Sequence, residues 1–242
     1  MPEIVLGGQK IAYSVRESAR SRTIRLKISA RGGLEVVIPA GAPLGEKDVE
    51  ALLLSRGGWI LNHYRQAQTT APAPERRYAS GETVLYQGRP VTLDVSLKAN
   101  GRRASVALDG DLLRVRLPAS LEQPQAEAAR AALESWYRAQ AKACIPARAA
   151  ELGDQFGFQF KRVTIKGQST RWGSCSSKGN LNFNWRLMMA PPAALDYVII
   201  HELCHLKEMN HSRRFWSLVG RFCPDYKTWV KWLKANGDRL RL

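Results

Sequence analysis

The stretch "HELCHLKEMNH", residues 201–211, holds three of the four histidines in a chain of 242 residues. His201 and His205 are four positions apart. On a helix of about 3.6 residues per turn they project from one face, one turn apart. That spacing lets two imidazoles share one tetrahedral metal ion. Glu202 lies about 100° round the helix from His201, which suits it to take a proton from a water in the site rather than to ligate. The competing reading is an amphipathic helix that carries histidines by chance. Two observations weigh against it: the crowding of three histidines into eleven residues, and the apolar "DYVII" (196–200) before them, which buries the helix and dries the site.

A catalytic zinc takes three protein ligands and keeps one position open. The third candidates are His211 and Glu208, or an acid elsewhere in the chain. Glu208 shares the helical face but would sit about 7–8 Å along the axis from the histidine pair. His211 reaches the site if the chain leaves the helix near Asn210 and folds back, since asparagine tolerates the left-handed conformation that ends helices. The H-x5-H spacing from His205 to His211 equals that of metzincins, with Glu208 at the place of their glycine. Ligand chemistry favours His211.

Upstream, "APPAALDYVIIHELCHLKEM" opens on prolines suited to a helix N-terminus. "FQFKRVTI" reads as a strand, and "GQSTRWGSCSSKGN" as a loop or hairpin. "NLNFNWRLM" alternates Asn180, Asn182 and Asn184 with Leu181, Phe183 and Trp185, the period of a half-exposed strand. Such a strand would pair with an extended peptide, making Asn182, Asn184 and Trp185 candidate substrate-binding residues. Tyr226 is a candidate donor to a developing oxyanion. Downstream, "SRRFWSLVGRF" and "YKTWVKWLKANG" read as two helices around a turn at "CPD".

The first half contains an internal echo. "GQKIAYSV" from Gly8 matches "GRPVTLDV" from Gly88, and "GGLEVVIPAG" (32–41) matches "DLLRVRLPAS" (111–120). Each copy reads as short strands, a turn and a following helix. The Pro-rich "TTAPAPERRYASGE" (69–82) reads as an exposed linker. The fold class expected is α+β: a β-rich N-terminal region with this strand-turn-strand-helix echo over 1–75, then a region over 76–242 with a small sheet and the histidine helix, its metal-site core at about 160–242. Trp59, Trp136, Trp216, Trp229 and Trp232 fall at helical positions and read as core.

Composition bounds the partners. Lys and Arg number 37 against 21 Asp and Glu, a net charge of +16. Such a chain suits anionic partners, but the excess is spread along it, so a generally basic surface is favoured over a dedicated nucleic-acid groove. Neither a signal peptide nor a membrane span is expected from these residues. Cys144, Cys175, Cys204 and Cys223 are too few and irregular for a disulfide scaffold, which points to reduced thiols in a cytoplasmic protein. No "GxxxxGK[ST]" loop occurs, so Walker-type NTP hydrolysis is unsupported.

"RWGSCSSKGNLNFNWRLMMAPPAALDYVIIHELCHLKEMNHSRRFW", residues 171–216, resembles the YgjP-like (SprT-like) metallopeptidase domain, a zincin-type family. The W-G-S-C loop, the N-L-N-x-N-W strand and the H-E-L-C-H-L helix with N-H-S-x-x-F-W carry the likeness, in that order. The resemblance implies Zn2+ held by His201, His205 and His211, a zincin-like C-terminal domain, and Glu202 as general base. The resemblance leaves the substrate open: the family is classed as peptidase-like, which points to a peptide or protein. The alternative is a nucleoside triphosphate, since at least one member of the family is associated with release of pyrophosphate from UTP; Lys166, Arg171 and Lys178 would then meet phosphates. A nucleic-acid-binding module with structural zinc is the least favoured reading, because a structural site is closed by four ligands.

Overall fold

The computed structural model describes residues 2–29, 33–69, 76–98, 102–120, 123–168 and 170–242. Residues 70–75 of the expected linker lie outside them. The chain divides into two compact units, Met1–Arg76 and Arg77–Leu242.

The first unit contains β1 (Glu3–Leu6), β2 (Gln9–Ser18), β3 (Arg25–Ser29), β4 (Gly33–Pro39), α1 (Glu46–Ser55) and α2 (Gly57–Thr69). Its sheet has the order β1-β2-β4-β3. The β1–β2 hairpin turns at Gly7 and Gly8, both with positive φ, as a tight hairpin requires. Alternation puts Ile4, Ile11, Tyr13, Leu34, Val36 and Ile38 on the buried face, against Val49, Leu53 and Ile60 from the helices. Trp59 departs from expectation. It is exposed and stacks on His63, ring centroids 4.2 Å apart.

The second unit begins with the same module: β5 (Thr83–Tyr86), β6 (Arg89–Lys98), β7 (Ser105–Asp109) and β8 (Leu112–Pro118), in the order β5-β6-β8-β7. The following helix, α3 (Gln125–Phe156), runs for 32 residues. Its buried positions Leu133, Tyr137, Ala141, Ile145 and Ala149 recur every fourth residue and form one stripe. Gly157, with φ 69°, ends it in the left-handed conformation.

A second, three-stranded sheet follows, made of β9 (Arg162–Lys166), β10 (Gly173–Cys175) and β11 (Asn180–Asn184) in the order β10-β11-β9. The β10–β11 hairpin closes tightly, with Gly179 N–H donating to Ser176 O at 2.9 Å. The expected strand stops one residue short of Trp185. Asn184 Oδ1 instead accepts from Arg186 N–H and caps a 3-10 turn, Trp185–Met189. Pro191 and Pro192 then open α4 (Pro192–Cys204), and α5 (Arg213–Phe222) and α6 (Tyr226–Asn236) follow. Nine of the 13 residues of α4 are buried, so it is the central helix of its unit rather than an amphipathic one. Arg148 of α3 grips Asp196 of α4 with two hydrogen bonds of 2.8 Å, the bidentate geometry that fixes orientation. Trp136, Trp216, Trp229 and Trp232 pack against this core as expected. Among the described residues no helix is long and apolar enough to cross a membrane.

Candidate metal centre

The H-E-L-C segment forms the last turn of α4, with His205 at its C-cap. The helix therefore ends at Cys204, six residues before Asn210, the exit expected from the sequence. Leu206 N–H bonds to Leu203 O, and Lys207 and Glu208 N–H groups bond to Cys204 O. Asn210 has no positive φ, so no left-handed residue makes this turn. The early exit is what returns His211, the residue just before Ser212, the N-cap of α5.

One ring nitrogen from each of His201, His205 and His211 lies within 4.8 Å of the others. His201 Nε2 and His211 Nε2 are 3.1 Å apart. Glu208 is not part of this cluster. It contributes its backbone carbonyl, which accepts from His205 Nδ1–H at 3.0 Å. Tyr197 Oη stands 3.4 Å from His201 Nδ1. Partners on Nδ1 fix the tautomer and leave Nε2 for an ion. Phe215, fully buried on α5, is the floor: its ring centroid lies 4.9, 4.4 and 4.8 Å from those of His201, His205 and His211. In the sequence it figures only as the phenylalanine of the N-H-S-x-x-F-W motif, and nothing there marks it as the contact of all three imidazoles.

The donor set fits a metal ion. Burial and the neighbouring imidazoles push the pKa of His201 down to about 3, and burial also lowers His205. Both rings are therefore neutral at pH 7, the form that coordinates. Cys204 is fully buried and faces the core. Its burial raises the thiol to about 12. Among the described residues the cluster has no fourth protein ligand, which matches an open site better than a closed structural one.

Glu202 is 5% exposed, and its Oε2 has no hydrogen-bond partner. Burial raises its pKa to about 8, with Arg171 opposing the shift. Gly173 makes room for it: a Cβ there would stand 2.6 Å from Glu202 Oε1. These groups line one cavity of about 680 Å3, walled by β10, Arg171, Trp172, Tyr197, Met209 and Lys234 with the three histidines. Cys175 is also on the wall, where burial first and Glu202 second hold its thiol up at about 11, so it is no thiolate nucleophile.

The expected substrate residues are placed differently. β11 is the central strand of its sheet, paired with β10 on one side and β9 on the other. It has no free edge for a peptide. Asn182 Nδ2 donates to Ser174 Oγ, and Asn184 Nδ2 to Gln168 O and Arg171 O. Trp185 is fully buried and presents no surface to a ligand. Tyr226 stacks on Trp216 (5.4 Å, 17°), and the tyrosine on the cavity wall is Tyr197. Of the three cations beside the W-G-S-C loop, Arg171 lines the cavity, while Lys166 and Lys178 do not. Alternation along Asn180–Asn184 holds for Asn180 to Phe183 and fails at Asn184, which is buried by its bonds to Gln168 O and Arg171 O, and it carries no information about the strand's edges.

β9 and β10 are the edge strands, and β10 is the one that lines the cavity. Its flanking residues Trp172 and Ser176 exchange backbone hydrogen bonds with Asn184 and Asn180. By antiparallel alternation Ser174 also faces β11, and the N–H and C=O groups of Gly173 and Cys175 point the other way, to the open edge.

No curated protein matches the sequence. Two crystal structures of metallopeptidase zymogens are similar to part of it. Abylysin of Pyrococcus abyssi is 24% identical over 40% of this chain and 97% of its own, with a TM-score of 0.36. Jannalysin of Methanocaldococcus jannaschii is 21% identical over 36% of this chain and 92% of its own, with a TM-score of 0.31. The model of the YgjP-like metallopeptidase domain matches residues 22–236, and this chain belongs to that family.

Proposed function

We propose that the protein is a zinc-dependent metallopeptidase in which His201, His205 and His211 hold the ion and Glu202 is the general base. The observation that carries this reading is the buried, partnerless Oε2 of Glu202 on the wall of the three-histidine cavity. A buried acceptor without a partner costs about 1–3 kcal/mol, and a water in the site would satisfy it. When bound, the metal supplies Lewis acidity, which acidifies a water and polarises a carbonyl. Glu202 Oε2 takes the proton and later delivers it to the leaving amine. Its raised pKa keeps both protonation states accessible near neutrality. Phe215 keeps water from the back of the imidazoles. An extended substrate pairs antiparallel with the open edge of β10, as β11 does on the other edge, through the backbone of Gly173 and Cys175. Tyr197, beside His201, is the candidate donor to charge developing on the substrate.

Removing the metal with a chelator should abolish cleavage of a casein-type substrate, and Zn2+ should restore it. Cleavage that survives chelation with no metal left on the protein sinks the proposal. A second reading, release of pyrophosphate from UTP at the same site, is favoured by Arg171 and Lys234 on the cavity wall. A parallel UTP assay separates the two.

A further inference from the structure

A second cavity, of about 300 Å3, adjoins the metal cavity and shares Arg171, Trp172 and Lys234 with it. Arg186 and Arg241 complete a set of four cations on its wall, against one acid, Asp238. Asp238 is already used by Arg241 in an exposed pair at 2.9 Å. Arg186 is different. Its guanidinium lies over the Trp185 ring, 4.4 Å from the centroid. Its Nη1 is buried with no hydrogen-bond partner, and the carboxylate that acts on it, Glu134, does so from beyond ion-pair distance and is itself bonded to Arg138. Arg138, which also approaches Trp185, is committed to Glu134.

Four like charges round a small cavity repel one another, and a buried guanidinium nitrogen loses water without gaining an acceptor. An oxyanion in the cavity answers both costs. The planar fork of arginine matches a carboxylate in particular. The cavity also lies at a defined end of the substrate strand. Gln168, Thr170, Arg171 and Trp172 precede β10. A peptide antiparallel to β10 therefore carries its C-terminal side toward them.

We propose that this cavity is an anion subsite that selects peptide substrates bearing a carboxylate on the C-terminal side of the scissile bond, with the half-buried Arg186 as its anchor and Arg171, Lys234 and Arg241 around it. The direction and the peptide rest on the metallopeptidase reading; the anion site itself does not. The carboxylate has two sources, an acidic side chain or the free C-terminus of a short peptide.

The test has two parts. The first is direct binding of glutarate to the zinc-loaded protein by calorimetry. Wild type binds it; Arg186→Met and Arg241→Gln weaken binding at least tenfold; His205→Ala, which damages only the metal site, stays within twofold of wild type. No binding by wild type, or equal binding by Arg241→Gln, overturns the subsite even if no peptide is ever cleaved. Arg241 is mostly exposed, so that variant remains informative if Arg186→Met fails to fold. The second is turnover of matched peptides. kcat/KM falls at least tenfold when Glu is replaced by Gln downstream of the cleaved bond, or when a free C-terminus is amidated, and whichever ratio is large identifies the source. That ratio moves towards one in Arg241→Gln. Equal turnover of both matched pairs by an active wild type overturns the proposal.

Discussion

The two β-modules share one design and put it to different uses. Tyr13 pairs with Leu34 and Val15 with Val36 in the first; Leu93 pairs with Leu113 and Val95 with Val115 in the second. In both, the central pair of strands is parallel and each outer strand is antiparallel to its neighbour. The hairpin turns show where the copies diverge. In the first, Gly7 and Gly8 make the turn, and a Cβ on Gly8 would meet nothing within 4 Å. In the second, Gln87 takes the left-handed place of Gly7 at φ 49°. Its N–H donates to Met188 O and that of Gly88 to Met189 O. A Cβ on Gly88 would stand 2.8 Å from Pro191 Cγ, at the N-cap of α4. The second turn thus seats the start of the metal helix. The first module closes a core of its own with two short helices. The second passes its α3 into the core that surrounds the metal site. One scaffold is self-contained and the other is a foundation.

The largest effect expected from this contrast is in the cores. Leu34 and Leu113 are equivalent and fully buried. Either truncation to alanine should cost about 2–5 kcal/mol. Only Leu113→Ala should also weaken metal binding, because its sheet packs on α3 and through it on α4. Equal metal affinity in both variants, measured by competition with a chromogenic chelator, breaks the distinction.

The turns come next. Gly8→Ala pays only for a left-handed alanine, about 1–2 kcal/mol. Gly88→Ala should cost about 1–2 kcal/mol more, since backbone at Pro191 must also move. Thermal melts of the two variants compare them directly. Equal losses would mean that the second turn bears no load.

A further contrast is electrostatic and shows itself through pH. Ser21 is the buried polar residue recorded in the first unit, whereas the second buries Glu202 and His205. In metal-free protein, Glu202 has its pKa raised from 4.5 to about 8. Its stabilising contribution is complete below pH 4.5 and is lost as the pH rises through about 8. His201, lowered from 6.5 to about 3, contributes above pH 6.5 and loses that contribution as the pH falls towards 3. Melting the metal-free protein across pH 5–9 should show the alkaline loss, and Glu202→Gln should remove it. An unchanged pH profile in that variant contradicts the burial assigned to Glu202.

Periodicity carried the modules and the metal helix into view before any coordinates. Alternating Val, Ile and Leu fix which face of a strand is buried, and i, i+4 spacing fixes which helical face the histidines share. What stayed hidden depends on contacts distant in sequence. Pairing with β9 makes β11 a central strand, and no local pattern announces that. The helix exits at Cys204, six residues before Asn210, because backbone hydrogen bonds to Leu203 and Cys204, rather than a left-handed Asn210, make the turn. Trp59 has helical spacing but lies on the open side of α2. The cationic cavity draws on residues from 168 to 241, too widely separated to form a motif.

The central claim is that Glu202 moves the proton while the three histidines hold the ion. Glu202→Gln keeps the side chain's shape and removes its basicity. Metal content and peptide turnover, measured on the same purified sample of this variant, test the claim most directly. The variant should hold one metal ion per chain, as in wild type, with kcat reduced at least about a hundredfold. Turnover within tenfold of wild type at full metal occupancy would contradict it.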